Sequence, residues 1–213
     1  FGDRITSGLG NDTVAATVDT VRDVYNGNSG TGDTANYAAY TSALTVNLTA
    51  ATAIDTTTTL YSIVTGSGVD AASSDAITGF ENFTAGAGAD RITASNTRNV
   101  LTGGAGNDTF IFTSAANAGG AAANATTRDV IADFTQGADV IDIAQIAHGT
   151  ATPWVFDGKV AASAAPGTAG HVHYFIDASG NTVIEGQTSI TASVSFQIEL
   201  KGQYTLTTGS FHL

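Results

Sequence analysis

The sequence predicts an all-β fold made of many short strands, and three observations support this prediction. Gly, Ala, Thr, Ser and Asn are abundant and charged residues make up only 12% of the 213 residues, a composition that favours short strands and turns over long helices. A nine-residue pattern recurs along the chain, and such a repeat is typical of stacked structural units. Several segments also alternate apolar and polar residues, as half-buried strands do.

The charge composition narrows the class of partner. The chain has 19 acidic and 7 basic side chains, giving a formal net charge of -12. Nucleic acids and anionic membrane surfaces are recognised through basic patches, so we expect neither as a partner, whereas divalent cations suit an acidic chain. The absence of cysteine excludes disulfides and thiolate metal sites. No apolar run is long enough to span a bilayer.

The start of the chain indicates part of a longer protein. It begins without Met, inside a repeat, and shows no basic segment followed by an apolar one. We therefore expect no N-terminal signal peptide here.

The clearest repeat unit runs from Gly103 to Ile111, where the sequence fits the pattern G-G-x-G-x-D-x-U-x, with U a large apolar residue, at every specified position. Glycines allow a tight turn with positive φ and let backbone carbonyls converge on an ion. Asp108 offers a hard carboxylate, which calcium prefers together with carbonyl oxygens. Thr109 to Ile111 is then a short strand with Phe110 pointing inward. The unit predicts one half-coil of a parallel β-roll.

The same nine-residue spacing continues over four consecutive repeat units. Oxygen-bearing residues recur every nine positions, and an apolar residue follows each of them two positions later; these residues are Glu81, Asp90, Asn99 and Asp108, then Phe83, Ile92, Leu101 and Phe110. An earlier copy spans Ser7 to Ala15, and Asp3 with Ile5 matches nine residues before it. Two columns that stay in phase indicate an internal repeat.

This repeat resembles the calcium-binding nonapeptide of RTX (repeats-in-toxin) proteins. In such rolls two units form one coil, so residues eighteen apart stack, which places Asp90 beside Asp108 and Glu81 beside Asn99. The resemblance implies that each ion takes oxygens from two adjacent turns. One implied site consists of Gly86, Gly88, Asp90, Gly103, Ala105 and Asp108. If the alternation continues through the middle of the chain, Asp12 stacks under Asp90, and a second site consists of Gly8, Gly10, Asp12, Ala85, Ala87 and Asp90.

A second resemblance covers the C-terminal part. Arg128 to Ile143 is similar to the segment that closes the roll in serralysin-type C-terminal domains, with its pattern D-x-I-x-D-F-x-x-G-x-D-x-I-D-L. The resemblance implies a last calcium site formed by Asp133 and Asp139 with Gly104, Gly106 and Asp108. The alternative role of Asp133 and Asp139 is to cap turns between strands.

The rest of this part is predicted to form strands. A hairpin is predicted over His171 to Glu185, followed by strands at Ser195 to Gly202 and Tyr204 to Leu206. The ending Thr208 to Leu213 resembles the family's cap, which carries an uncleaved type I secretion signal. Ser210 departs from the Asp that the family often has before its last aromatic residue.

These features divide the chain into four parts. They are the first turns of a right-handed β-roll (1–15), a β-rich insertion (16–75), the roll with its nonapeptides (76–112) and a β-sandwich-like cap (113–213). Strands are predicted in the insertion at Ala43 to Leu48 and Leu60 to Val64. The insertion stays in the sheets of the roll or packs beside them, and a Thr- and Ala-rich linker is the alternative.

We expect no enzymatic activity in this chain, because it contains no H-E-x-x-H, G-x-S-x-G or phosphate-binding motif. The paired carboxylates follow the nine-residue register, which favours ligands over glycosidase catalysis. His171 and His173 lie two apart on a predicted strand, as in some zinc sites, but solvated histidines on an edge strand are the simpler interpretation. Trp154 is interpreted as a core residue rather than a sugar platform.

The expected function is binding of several calcium ions that couples folding to export. Such a chain stays unfolded at low cytosolic calcium, passes the type I secretion machinery of a Gram-negative bacterium and folds outside the cell or at its surface. The composition favours a surface-layer or adhesin-like protein as the cargo. The alternative is the C-terminal module of a secreted enzyme, such as a protease, lipase or polysaccharide-modifying enzyme. Further candidate partners are a second copy of this chain and a cell-surface polysaccharide.

Overall fold

The computed structural model describes residues 2–49, 62–66, 75–120, 124–149, 153–162, 168–189 and 195–213. Nearly all regular structure in these ranges is β-strand, which confirms the predicted all-β class. The chain divides into two compact units, Phe1–Ser95 with Asn99–Thr109 and Asn96–Arg98 with Phe110–Leu213. Within the ranges described, no helix is long and apolar enough to cross a membrane.

The first unit is a stack of short strands. They are β1 (Arg4–Thr6), β2 (Thr13–Ala15), β3 (Val24–Asn26), β4 (Thr34–Asn36), β5 (Leu44–Asn47), β6 (Ser62–Gly66), β7 (Asp75–Thr78), β8 (Asn82–Thr84), β9 (Arg91–Thr93) and β10 (Val100–Thr102). One sheet has the order β1-β3-β7-β6-β5-β9 and the other has the order β2-β4-β8-β10. Neighbours are parallel except where β6 pairs antiparallel with β5 and β7. This is the parallel β-roll that the repeat predicts.

The middle of the chain contributes strands to both sheets of this unit. β3 and β5 lie in the first sheet and β4 lies in the second, so this part of the segment 16–75 stays in the sheets of the roll. The predicted strand at Ala43 to Leu48 corresponds to β5, and the one at Leu60 to Val64 overlaps β6, although residues 60 and 61 lie outside the described ranges. The division of the chain at residues 15, 75 and 112 stays a prediction.

The interior of the first unit is apolar and aromatic. The predicted inward residues Phe83, Ile92 and Leu101 are each at most 1% exposed. Tyr37 stacks on Phe83 with a distance of 5.3 Å between ring centroids. Ile5 is 40% exposed because its strand β1 lies at the end of the sheet.

The second unit also contains two sheets. Its strands are β11 (Thr109–Ile111), β12 (Asp129–Ile131), β13 (Val140–Asp142), β14 (Val155–Lys159), β15 (His171–Ile176), β16 (Thr182–Gln187), β17 (Phe196–Leu200) and β18 (Phe211–His212), with short 3-10 helices at Ala116–Ala118 and Thr208–Ser210. One sheet has the order β11-β13-β18 and the other β14-β15-β16-β17-β12. β15 and β16 form the predicted hairpin. Trp154 is 4% exposed and packs against Phe196, which confirms that it is a core residue.

The predicted strand at Tyr204 to Leu206 is wrong. The Tyr204 N–H donates to Thr182 Oγ1 at 2.9 Å and the Thr205 N–H donates to Gln136 Oε1 at 3.1 Å. Because side chains accept these hydrogen bonds, the segment pairs with none of the strands in the described ranges, despite its β-favouring composition.

Candidate metal centre

Asp90 and Asp108 lie in adjacent coils of the first unit, as their spacing of eighteen residues predicts. The Asp90 N–H donates to Asp108 Oδ1 at 2.8 Å, and the Thr109 N–H donates to Asp90 O at 2.8 Å. Asp90 is 0% exposed and Asp108 is 2% exposed. We call these two residues the Asp108 pair. Two stacked, buried carboxylates form the negatively charged part of the predicted calcium site.

The turns beside the Asp108 pair approach so closely that they require glycine. A Cβ added at Gly104 would lie 1.9 Å from Gly86 O, and one added at Gly106 would lie 2.0 Å from Gly88 O. A Cβ at Gly103 would lie 2.2 Å from Asp108 Oδ2. Gly104 and Gly106 also have φ of 92° and 143°, which L side chains rarely adopt.

The structure therefore brings the first predicted ligand set together. The Ala105 N–H donates to Gly86 O at 2.9 Å, which holds the two turns in register. Carbonyl and carboxylate oxygens from two turns are the ligands that calcium prefers, so the residues present fit this ion. Which of these atoms coordinate calcium stays a prediction.

The electrostatics of Asp90 favour a bound cation. Burial raises the pKa of Asp90, although the N–H groups of Leu44 and Gly86 donate to its carboxylate at 2.6 and 3.3 Å and act in the opposite direction. A buried carboxylate whose charged form is disfavoured is stabilised when a divalent cation lies next to it.

The predicted stacking of Asp12 under Asp90 is wrong. Thr13 aligns with Thr34 and the Asp12 N–H donates to Asp33 Oδ1 at 2.7 Å, so Asp12 stacks on Asp33. The middle of the chain adds coils of its own and the antiparallel strand β6, so the nine-residue phase does not continue through it. Asp12 consequently lies beside the second sheet, while Asp90 lies beside the first. The second predicted set, Gly8, Gly10 and Asp12 with Ala85, Ala87 and Asp90, is not brought together.

The structure instead places Asp12, Asp33, Glu81 and Asn99 in one column, which we call the Asp33 column. The Asp33 N–H donates to Glu81 Oε2 at 3.0 Å, and Asn99 Nδ2 donates to Glu81 O at 2.6 Å. The predicted adjacency of Glu81 and Asn99 is confirmed.

Asp33 is the residue of this column that most needs a further partner. It is 0% exposed and its Oδ2 has no hydrogen-bond partner in the described part of the chain. A Cβ added at Gly30 would lie 2.3 Å from Gly10 O and 2.7 and 2.8 Å from the two Asp33 carboxylate oxygens. A carbonyl and an unsatisfied buried carboxylate thus converge, and leaving such an oxygen unpaired is costly. These oxygens fit calcium as well.

Sequence reasoning missed Asp33 because the coils here are longer than eighteen residues. Asp3 and Asp23 are twenty apart, and Asp12 and Asp33 are twenty-one apart. The signal that was available is an Asp two positions before an apolar residue, as in Asp23 with Tyr25 and Asp33 with Ala35.

Among the residues described, no group of three or more His, Cys, Asp or Glu side chains is placed to hold a metal ion. The Asp108 pair contributes two carboxylates and its turns contribute carbonyls. A calcium site at these turns therefore draws on backbone oxygens as well as side chains.

Comparison with known protein families agrees with this geometry. Residues 6–209 match the family model described as Peptidase M10 serralysin C terminal. The chain belongs to this family. Serralysin C-terminal domains are RTX-type, calcium-binding modules of secreted proteins, so the resemblance of the nonapeptides to RTX repeats is confirmed. A comparison with curated proteins finds no match.

Two solved structures are similar to this serralysin C-terminal chain, and both come from the Azotobacter vinelandii mannuronan C5-epimerase. The AlgE6R3 subunit has a TM-score of 0.42 and 17% sequence identity, over 96% of this chain and 78% of that one. The AlgE6R2 subunit has a TM-score of 0.43 and 16% identity, over 99% of this chain and 91% of that one.

The last site implied by the serralysin resemblance involves residues of both units. Gly104, Gly106 and Asp108 belong to the first unit, and Asp133 and Asp139 belong to the second. In the second unit Asp139 is buried, and its Oδ2 accepts a hydrogen bond of 2.7 Å from the Thr135 N–H. This is the turn-capping role that was the alternative for Asp139. Calcium binding by Asp133 and Asp139 stays a prediction.

The two histidines of β15 are engaged with separate carboxylates. His171 Nδ1 lies 3.0 Å from both carboxylate oxygens of Asp157, and His173 Nε2 lies 3.1 Å from Glu185 Oε2. β15 lies between β14 and β16, and His173 is only 4% exposed. The interpretation of His173 as a solvated histidine on an edge strand is therefore wrong, because it is held in the sheet by a buried acidic partner.

Proposed function

We propose that this chain is a calcium-operated folding module that is unfolded where calcium is scarce and folds when calcium occupies the turns of the roll. The observation that carries this proposal is the Asp108 pair. Two buried carboxylates are stacked in adjacent coils, and the carbonyls of Gly86 and Gly88 lie against the glycines of the next turn. Without a cation these charges repel one another in a place that water does not reach.

The affinity expected of such sites suits a switch between the cytosol and the exterior. Extracellular calcium modules bind with Kd on the order of 10⁻⁴–10⁻³ M. An ion that binds only the folded state stabilises it by about 2.7 kcal/mol when its concentration is 100 times Kd, and several ions add up. The net charge of -12 further favours cation binding as the route to a compact state.

Substitution of single aspartates tests the two predicted ion positions. We expect Asp108→Ala to remove the ion of the Asp108 pair and the ion that Asp108 would share with Asp133 and Asp139. Asp33→Ala should remove an ion of the Asp33 column and leave the ion of the Asp108 pair bound. Isothermal titration calorimetry with calcium measures the number of ions bound, and the calcium concentration at which folding occurs should rise in both variants. Asp19→Ala, which changes an exposed aspartate of the same unit, is the matched control. An unchanged number of ions in both variants would contradict these assignments.

We further propose that the module serves type I export from a Gram-negative bacterium. The family's occurrence in secreted proteins supports this, as does the ending Thr208 to Leu213. Deletion of these six residues from the full chain should abolish its appearance in the medium of a strain that expresses a type I channel. The level of the protein inside the cells is the control for expression. Undiminished export of the truncated chain would overturn this part of the proposal.

For the cargo, we propose a surface-layer or adhesin-like structural protein, as supported by the Thr-, Ala- and Gly-rich composition without Cys or Met. A secreted enzyme is the second candidate, because the family is defined on the C-terminal part of serralysin peptidases. In that case catalysis resides outside this chain. Cell fractionation discriminates the two candidates, since a structural surface protein stays with the cell envelope and a secreted enzyme accumulates in the medium.

A further inference from the structure

A third column of carboxylates in the first unit is built differently from the calcium candidates. It consists of Asp3, Asp23 and Asp75, which precede or begin the parallel strands β1, β3 and β7. The Asp3 N–H donates to Asp23 Oδ1 at 2.6 Å, and the Asp23 N–H donates to Asp75 Oδ1 at 3.0 Å. Asp23 and Asp75 are each 1% exposed. We call this set the tyrosine-capped column.

Hydroxyl groups donate hydrogen bonds to the remaining carboxylate oxygens of Asp23 and Asp75. Tyr25 Oη donates to Asp23 Oδ2 at 2.6 Å, and Thr17 Oγ1 donates to the same atom at 3.1 Å. Tyr37 Oη donates to Asp75 Oδ2 at 3.2 Å. Each carboxylate oxygen of Asp23 and Asp75 thus accepts a hydrogen bond from the protein, unlike Asp33 Oδ2. O–H donors aimed at a carboxylate take the place that a cation would need.

The surroundings of Asp75 disfavour its negative charge. Asp23 acts on it from the residue before β3, Tyr37 and Tyr40 from the segment after β4, and Asp19 from the loop before β3. On the other side of Asp75, strand β6 places the apolar residue Val64 opposite it. The charged groups named here are all acidic. Burial, and then the charge of Asp75, raises the pKa of Tyr37, so this hydroxyl stays a hydrogen-bond donor at neutral pH.

We propose that the tyrosine-capped column is a proton-operated site, in which Asp75 takes up a proton from solvent where the other columns take up calcium. The bound proton removes the buried charge, and Asp75 Oδ2 and the Tyr37 hydroxyl can share a hydrogen bond in either protonation state. The first coils of the roll are consequently stabilised by a bound proton and not by calcium. This stabilisation weakens as pH rises.

The pH range over which this stabilisation is lost follows from the direction in which the pKa of Asp75 is shifted. Burial raises the pKa of Asp75 from 3.8 to about 6. Between these values the folded state holds the proton while the unfolded state has released it, so stability is greatest below the window and is lost as pH rises through it. Two pKa units correspond to roughly a 100-fold change in the folding equilibrium constant. Ordinary calcium carboxylates behave in the opposite way, because acid removes the charge that binds the ion.

The test compares the full chain with its Asp75→Asn variant in saturating calcium, by denaturant unfolding between about pH 4 and pH 7. The asparagine keeps the shape of the side chain and cannot titrate. We expect the ratio of the two folding equilibrium constants to change by roughly 100-fold across this range, with the natural chain losing stability relative to the variant as pH rises. Asp3→Asn, at the end of the same column, is the matched control, because its side chain is exposed to solvent in the folded chain.

A second variant keeps the proposal testable if Asp75→Asn fails to fold. The Tyr37 hydrogen bond lowers the pKa of Asp75, so Tyr37→Phe should move the window to higher pH. Calcium titration must give the same number of bound ions in all of these variants. A flat ratio for Asp75→Asn, an unmoved window for Tyr37→Phe or the loss of a bound ion would each overturn the proposal. None of these outcomes bears on whether calcium folds the chain, which is measured separately with a chelator.

Discussion

At the residue scale, the second unit contains a buried cation that two carboxylates share. Arg128 is 5% exposed, its Nε donates to Glu199 Oε2 at 2.6 Å and its Nη2 donates to Asp177 Oδ2 at 2.7 Å. Burial tends to raise the pKa of Glu199, but hydrogen bonds from Lys201 and Arg128 outweigh it and hold the pKa below its ordinary value. This carboxylate therefore stabilises the fold above the pKa of the unfolded chain and ceases to do so as pH falls through its folded pKa.

Arg128→Ala should destabilise the second unit by about 3 kcal/mol, because it removes one of the two cationic side chains that hydrogen-bond to the buried Glu199 carboxylate. Urea unfolding in saturating calcium, followed by Trp154 fluorescence, measures the effect. Arg98→Ala, at an exposed position of the same unit, should change stability by no more than about 0.5 kcal/mol. Equal effects of the two substitutions would contradict the role given to Arg128.

At the scale of the element, the turns of the roll depend on glycine where neighbouring coils meet. Gly104→Ala should both destabilise the fold and raise the calcium concentration needed for folding, because its Cβ would lie 1.9 Å from Gly86 O. Gly158→Ala is the matched control, since Gly158 also has a positive φ, of 83°, but no atom lies within 4 Å of an added Cβ. The control should cost only the backbone strain of a non-glycine residue at positive φ, about 1–2 kcal/mol. Calcium-dependent thermal unfolding of both variants measures the difference, and equal calcium requirements would contradict close contact between the turns.

The elements also show how far the sequence predicts this fold. The nine-residue phase correctly predicts the buried Phe83, Ile92 and Leu101 and the Asp108 pair, because every unit there has the same length. It fails for Asp12, because the intervening coils are longer and β6 is inserted between β7 and β5. Strand composition likewise predicts β5 and the hairpin, but not that the Tyr204 N–H bonds a side chain instead of a strand. The local sequence pattern predicts where a strand forms. The strand with which it pairs depends on the lengths of the segments that connect the strands.

The sequence pattern also does not show which of the periodic aspartates bind an ion. A periodic aspartate indicates a ligand, but Asp23 and Asp33 have the same sequence pattern and different surroundings. Asp23 Oδ2 accepts hydrogen bonds from Tyr25 and Thr17, whereas Asp33 Oδ2 has no partner in the described ranges. Only the fold shows which carboxylates retain an oxygen for an ion.

At the scale of the whole molecule, we expect an acidic chain without disulfides to gain stability from bound cations. A net charge of -12 opposes compaction, and the buried carboxylates of the Asp108 pair and the Asp33 column add local repulsion. Calcium, with its flexible coordination by six to eight oxygens, suits turns that offer both carbonyls and carboxylates. Magnesium requires near-ideal octahedral geometry and loses its water reluctantly, so it should not replace calcium here.

Dependence of folding on calcium is measured by circular dichroism of the chain in calcium, in equimolar magnesium and in chelator, each followed by thermal unfolding. We expect the chelator to abolish the β-sheet spectrum and added calcium to restore it together with a cooperative transition, whereas magnesium should not. An unchanged spectrum and melting temperature after complete removal of calcium would show that calcium does not drive folding of this chain.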